Sequence, residues 1–194
     1  YLWLMKQTIC LILSVFPFFG NSQTYIPGQI YYGTDNYIEY QAGNLPIVLS
    51  SAHGGYLTPS SLPDRVCSGC VTSRDSYTQE LTRSIAEEIY NLTGCYPHVI
   101  INKLHRKKLD ANREIVEATD SNIITEPYWH DFMNFIDSAK NEVSYQYSKG
   151  LFLDIHGHGH TIQRLELGYL LTGTDLRKND SALNNPPLNS KSSI

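Results

Sequence analysis

The sequence predicts an α/β fold, a largely parallel or mixed sheet with helices on both faces. Short apolar runs at 46–50, 99–101 and 151–155 are separated by stretches with helical periodicity. Strands that alternate with helices imply right-handed crossovers and a sheet covered on both sides. Each run also leads into unusual polar residues: His53 after the first, Arg106 after the second, His156 after the third. In such folds ligands bind beyond the carboxyl ends of the strands.

The elements follow in order. Lys6, the apolar run Ile9 to Phe19 and Gly20-Asn21-Ser22 have the pattern of a secretory signal over residues 1–22, so an extracellular location is expected. The run is too short to span a bilayer, which takes about 20 residues. Residues 23–172 read as one domain. Its first strand, 46–50, runs into Ser51-Ala52-His53-Gly54-Gly55, and the Pro-, Cys- and Ser/Thr-rich stretch 56–74 is a loop. A helix opens at Asp75, with Leu81, Ile85 and Ile89 on one face and Gly94 as its C-terminal cap. After the strand at 99–101 come helical stretches at 113–119 and 127–143, the second with Trp129, Phe132, Met133 and Ile136 on one face. Strands at 151–155 and 165–171 close the domain. Residues 173–194, rich in Asn, Ser, Pro and Lys, read as a poorly ordered tail or an unfinished continuation.

Composition narrows the function. Apolar residues make up 41% and charged residues 18%, a globular profile, and a net charge of −4 recommends no nucleic-acid partner. No heptad or Gly-x-y repeat is present. After signal cleavage no membrane association is expected, and the oligomeric state is open. Cys67, Cys70 and Cys95 remain in the mature chain, an odd number for an oxidising compartment. Cys67 and Cys70 read as a loop disulfide, because no second Cys pair completes a zinc cage.

The chemistry lies in three motifs. His53 ends a buried strand and is followed by two glycines, which let backbone approach a metal or substrate. Asp154-Ile155-His156-Gly157-His158-Gly159-His160 places three imidazoles at the end of another, with Asp154 available to fix an imidazole tautomer. A catalytic zinc site takes three protein ligands, so two histidines need a carboxylate. Asp75 is the candidate and Glu80 the substitute. The third motif, Arg106 to Glu114, offers guanidinium forks at Arg106 and Arg113 and an amide at Asn112 for a carboxylate ligand. Asp110 can hold one guanidinium, and Lys107 and Lys108 read as solvated.

Taken together, Ala-His-Gly-Gly, Asp75, Arg-x-x-x-Asp-x-Asn-Arg and Asp-Ile-His-Gly-His resemble the N-formylglutamate amidohydrolases, of the zinc carboxypeptidase and aspartoacylase-like superfamily. The resemblance covers residues 46–172. It implies His53, Asp75 and His156 as Zn²⁺ ligands, Asn112 and Arg113 as a carboxylate-binding pair, and Arg106 as a catalytic or anchoring arginine. His158 is expected at the rim, on the substrate side. Tyr56 stands where zinc carboxypeptidases carry a Glu, which argues against a metallopeptidase. The family's late catalytic Glu has no match except Glu166, so the chain reads as C-terminally truncated, with apolar surface exposed near 151–171 and little turnover of its own. The expected activity is zinc-dependent hydrolysis of a C–N bond in an N-acyl amino acid or related small carboxylate. The rival is a secreted, non-catalytic module that binds an acidic ligand.

Overall fold

A computed structural model describes residues 25–168 and 170–191. The expected signal segment, 1–22, lies outside the described residues. Five strands, β1 (Ile30–Tyr32), β2 (Ile38–Gln41), β3 (Ile47–Ser51), β4 (His98–Asn102) and β5 (Leu151–Asp154), form one sheet in the order β1-β2-β4-β3-β5. β3 runs parallel to both β4 and β5, whereas β2 is antiparallel to β4 and to β1. The sheet is therefore mixed. Its parallel half is built from the three runs legible in the sequence, and its antiparallel half comes from a segment in which no strand was expected. There the alternation is blurred by polar atoms: Ile38 and Tyr40 enter one core, while Glu39 between them is buried and takes both guanidinium arms of Arg83.

Helices cover both faces. Helix α3 (Glu126–Tyr147) packs Tyr128, Phe132, Ala139 and Val143 against Ile38, Tyr40, Val48 and Ile100, with Trp129, Met133 and Ile136 partly buried beside them. Helix α1 (Thr78–Thr93) packs Ala86, Ile85 and Ile89 against Leu49, Val99 and Ile101. Val48 and Leu49, successive residues of β3, thus enter opposite cores, as the period of two requires. Helix α1 begins at Thr78, three residues after Asp75, and ends at Gly94, whose positive φ of 70° lets its N–H reach Tyr90 O. Leu81, expected on the buried face, is 48% exposed; Thr78 and Thr82 are buried instead. Their hydroxyls are satisfied locally, Thr82 Oγ1 donating to Thr78 O at 2.7 Å and Thr78 Oγ1 to Asp75 O at 3.1 Å. Helix α2 (Ile115–Thr119) is one short turn leading toward α3.

His98 supplies a pH-sensitive element of stability. It is 2% exposed, and its Nδ1 accepts from Gly43 N–H at 3.1 Å and Tyr40 O–H at 2.9 Å. Burial lowers its pKa from 6.5 to about 4. Between those values the unfolded chain binds a proton that the folded one does not, so stability falls as pH drops through the window. Acidification from pH 7 to 4 is expected to remove roughly 3 kcal/mol through this residue. Urea unfolding across that range should show the loss, and His98→Gln should flatten it.

The described residues divide into two compact units, one ending at Gly157 and the other beginning at His158, a boundary that falls inside the expected 23–172 domain. The sheet belongs to the first unit, where Leu151, Phe152 and Leu153 of β5 are all exposed. In the second, the strand expected at 165–171 is not formed among the described residues, and Leu165, Leu167 and Leu170 are exposed. Two short helices form where only a tail was expected, α4 (Asp180–Leu183) and α5 (Leu188–Lys191). The Asn179 side chain caps α4 by accepting from Ala182 N–H at 2.9 Å. Among the described residues no helix is long and apolar enough to cross a membrane.

Candidate metal centre

The carboxyl ends of β3, β4 and β5 lie side by side, and the chain emerging from each carries one part of a site. His53 follows β3, His156 follows β5, and the Arg106–Arg113 segment follows β4. Asn102 joins two of these ends. Fully buried, it donates from Nδ2 to Ala52 O at 2.8 Å and accepts from Leu104 N–H at 3.0 Å. Asp75 is brought in by its own backbone, its N–H donating to His53 O at 3.0 Å.

Three side-chain atoms converge. His53 Nδ1 and His156 Nδ1 are 3.1 Å apart, and Asp75 Oδ2 is 3.6 Å from the first and 3.3 Å from the second. Donors bound at about 2.0–2.1 Å to a tetrahedral ion lie roughly 3.3 Å from one another, so this group can hold a metal ion. The far nitrogens of both rings are oriented by carboxylates. His53 Nε2–H donates to Asp110 Oδ1 at 2.5 Å and His156 Nε2–H to Asp154 Oδ2 at 2.7 Å. In the neutral ring each arrangement leaves the Nδ1 lone pair available, the pattern in which a carboxylate fixes the tautomer of a ligand imidazole. Glu80, the substitute carboxylate, lies outside the group and accepts from Tyr56 O–H.

The electrostatics follow from these contacts. For Asp75, burial favours the neutral acid, but the Nδ1–H groups that His156 and His53 present in their protonated form, together with Gly157 N–H, outweigh it and hold the carboxyl far below its usual range. Asp110 behaves alike: burial opposes ionisation, and the bonds from His53 and Arg106 bring its pKa down to about 2. Asp154 and then Asp75 raise His156 to about 9, and His53 is also raised, Asp110 and Asp75 overcoming its burial. Negative charge thus surrounds the two imidazoles, and what attracts a proton there attracts a cation.

The anion-binding candidates stand on the same cavity, about 270 Å³ in volume and lined by His53, Asp75, Arg106, Asn112, Arg113, His156 and Gly157. Arg106 is committed, its Nε donating to Asp110 Oδ2 at 2.8 Å and its Nη1 3.5 Å from Asp75 Oδ1. Arg113 is less so. Its side chain is 48% exposed, 3.4 Å from Glu117 and 4.0 Å from Asp110, while Trp129 Nε1–H anchors its carbonyl at 2.8 Å. The Asn112 amide nitrogen lies 3.1 Å from His156 Nε2.

The glycines after His53 admit neighbouring chain. A Cβ on Gly55 would lie 2.0 Å from Leu104 O, and one on Gly54 would meet Thr78 Oγ1 at 2.5 Å, so both make room for neighbouring chain. Gly55→Ala is expected to cost at least the upper end of the about 1–3 kcal/mol typical of overpacking, read as a lowered urea midpoint.

A further difference concerns Lys108. Lys108, expected in solvent, is 7% exposed; its Nζ donates to Leu62 O at 2.5 Å and pairs with Asp64 at 2.6 Å. His158, His160 and Glu166 form their own exposed cluster. His158 uses both nitrogens, accepting from His160 N–H at 3.2 Å and donating to Arg164 O at 2.7 Å. Glu166 accepts from Arg164 Nε at 2.7 Å and from His160 Nδ1, which together hold its pKa below the usual carboxylate value.

Cys67 and Cys70 form a disulfide, and Cys95 is a free thiol. Two buried residues of the site's framework carried no sequence signal of their function. Arg65 sits in the stretch 56–74, which the sequence marks only as a loop, and Asn102 is a single amide closing an apolar run. No family model, curated protein or solved structure matches this chain.

Proposed function

We propose that the chain is a secreted, metal-dependent amidohydrolase that cleaves the C–N bond of an N-acyl amino acid or a related small carboxylate. The observation that carries this reading is the cavity itself, where His53, Asp75 and His156 converge on a wall shared with Arg106, Asn112 and Arg113. Zinc suits a two-His, one-carboxylate donor set. When bound, it supplies Lewis acidity toward an acyl carbonyl and toward water. Asp110 and Asp154 keep the two imidazoles in the tautomer that leaves Nδ1 free. Arg113, the less committed guanidinium, receives the substrate carboxylate as a two-pronged ion pair. Arg106, locked against Asp110, presents its remaining N–H groups to the acyl oxygen as charge develops.

The test is metal analysis of the purified chain together with formate or acetate release from N-acyl amino acids. Arg113→Lys is expected to reduce kcat/KM about 10²-fold, since a point charge replaces a planar fork. Glu166→Gln in the same assay examines the carboxylate that the sequence offers as proton acceptor. Zinc and carboxylate binding without turnover would move the assignment to the binding module.

A further inference from the structure

Arg65 belongs to the 56–74 loop, yet its side chain is 1% exposed. Burying a guanidinium is costly unless its donors are satisfied. Here they are spent almost wholly on backbone. Nε donates to Glu117 O at 3.1 Å, and Nη1 to Arg106 O at 3.0 Å and Val71 O at 3.2 Å. Nη2 faces Cys67 Sγ at 3.9 Å, and the Arg65 N–H donates to Lys107 O at 2.7 Å. Nη1 also lies 3.7 Å from Asp110 Oδ2, the carboxylate whose other oxygen holds His53. The Cys67–Cys70 disulfide closes the turn immediately after Arg65, and Lys108 ties Leu62 and Asp64 immediately before it. The loop is therefore clamped on both sides of one buried cation.

We propose that Arg65 is a positioning residue of the metal centre, set by the disulfide-closed loop: it fixes the Arg106 backbone and the Asp110 carboxylate, and through Asp110 it fixes the His53 tautomer that presents Nδ1 to a divalent cation. The inference rests on the metal reading above. Its chemistry is specific to arginine, because Nε reaches α2 while Nη1 reaches both the Arg106 carbonyl and the loop from the same planar group, and an ammonium has one point from which to bond.

The experiment titrates the metal-free full chain with Co²⁺, read by its visible absorption, with Zn²⁺ as competitor. Long-range ¹H–¹⁵N spectra of the metal-free chain report the His53 tautomer. Arg65→Met is expected to weaken metal binding about 10–100-fold, the usual cost of disturbing a carboxylate–histidine support. It should also mix the His53 tautomers. Arg65→Lys should recover only part of the affinity. Val143→Ala, in the core under α3, serves as a control that destabilises the fold and should leave affinity and tautomer unchanged. If Arg65→Met does not fold, the Cys67→Ser/Cys70→Ser double variant tests the same clamp and should weaken binding in the same direction. Wild-type affinity and tautomer in the Arg65 variants, or in the double variant where they do not fold, would overturn this role while leaving the metal centre intact. Absence of binding by the wild-type chain would overturn the metal reading, and this role with it.

Discussion

Asp110→Ala is expected to lower the unfolding free energy by about 3–5 kcal/mol, the largest effect of any single substitution at the site. The carboxylate is 1% exposed and accepts from both His53 Nε2 and Arg106 Nε, with Arg65 close by. Its removal leaves two buried donors without an acceptor and the buried Arg65 cation without its nearest counter-charge, and that penalty, rather than the lost contacts, sets the magnitude. Glu117→Ala removes a half-exposed pair with Arg113 and should change stability by no more than about 0.5 kcal/mol. Urea unfolding of the two variants beside the parent decides the matter. A loss below about 1 kcal/mol for Asp110→Ala would mean that the buried network contributes little and that the His53 orientation has another origin.

His53→Ala is expected to abolish stoichiometric binding of a divalent cation, with an affinity loss beyond the roughly 10–100-fold that follows from disturbing a supporting residue alone. Of the three converging side chains His53 is the most buried, and its Nε2 is bonded to the buried Asp110, so its removal takes away the best-positioned donor. His156→Ala should weaken binding similarly, since its Nδ1 stands 3.3 Å from Asp75 Oδ2. Calorimetric titration of Zn²⁺ into the metal-free chain measures both. Undiminished binding in both variants would place the cation elsewhere, and the exposed His158–His160–Glu166 group would then be the site to examine.

What the sequence determined by itself was local. Apolar runs at 46–50, 99–101 and 151–155 marked the three parallel strands, because a strand buried on both faces needs a continuous apolar stretch. The repeat of apolar residues through 127–143 marked α3, and Gly94 marked the end of α1. His53, Arg106, Asn112, Arg113 and His156 were singled out by residue type and position at the strand ends, and Asp75 by its place at the opening of α1.

Tertiary structure decided the rest. β1 and β2 were hidden because their polar positions are satisfied across space, Glu39 by Arg83 of α1 and Tyr40 by His98 of β4. Leu81 and Thr82 exchanged the places their hydropathy assigns, because Thr82 can bond its own helix and so enter the core without an unpaired hydroxyl. The strand expected at 165–171 has an apolar pattern, but among the described residues no neighbouring strand pairs with it, and a strand exists only through its pairing. Asp110 shows the difference most plainly. Sequence spacing put it four residues from Arg106, and the ion pair between them was foreseeable. Its bond to His53, 57 positions away, exists only because β3 and β4 lie side by side, which places the ends of two strands within reach of one carboxylate.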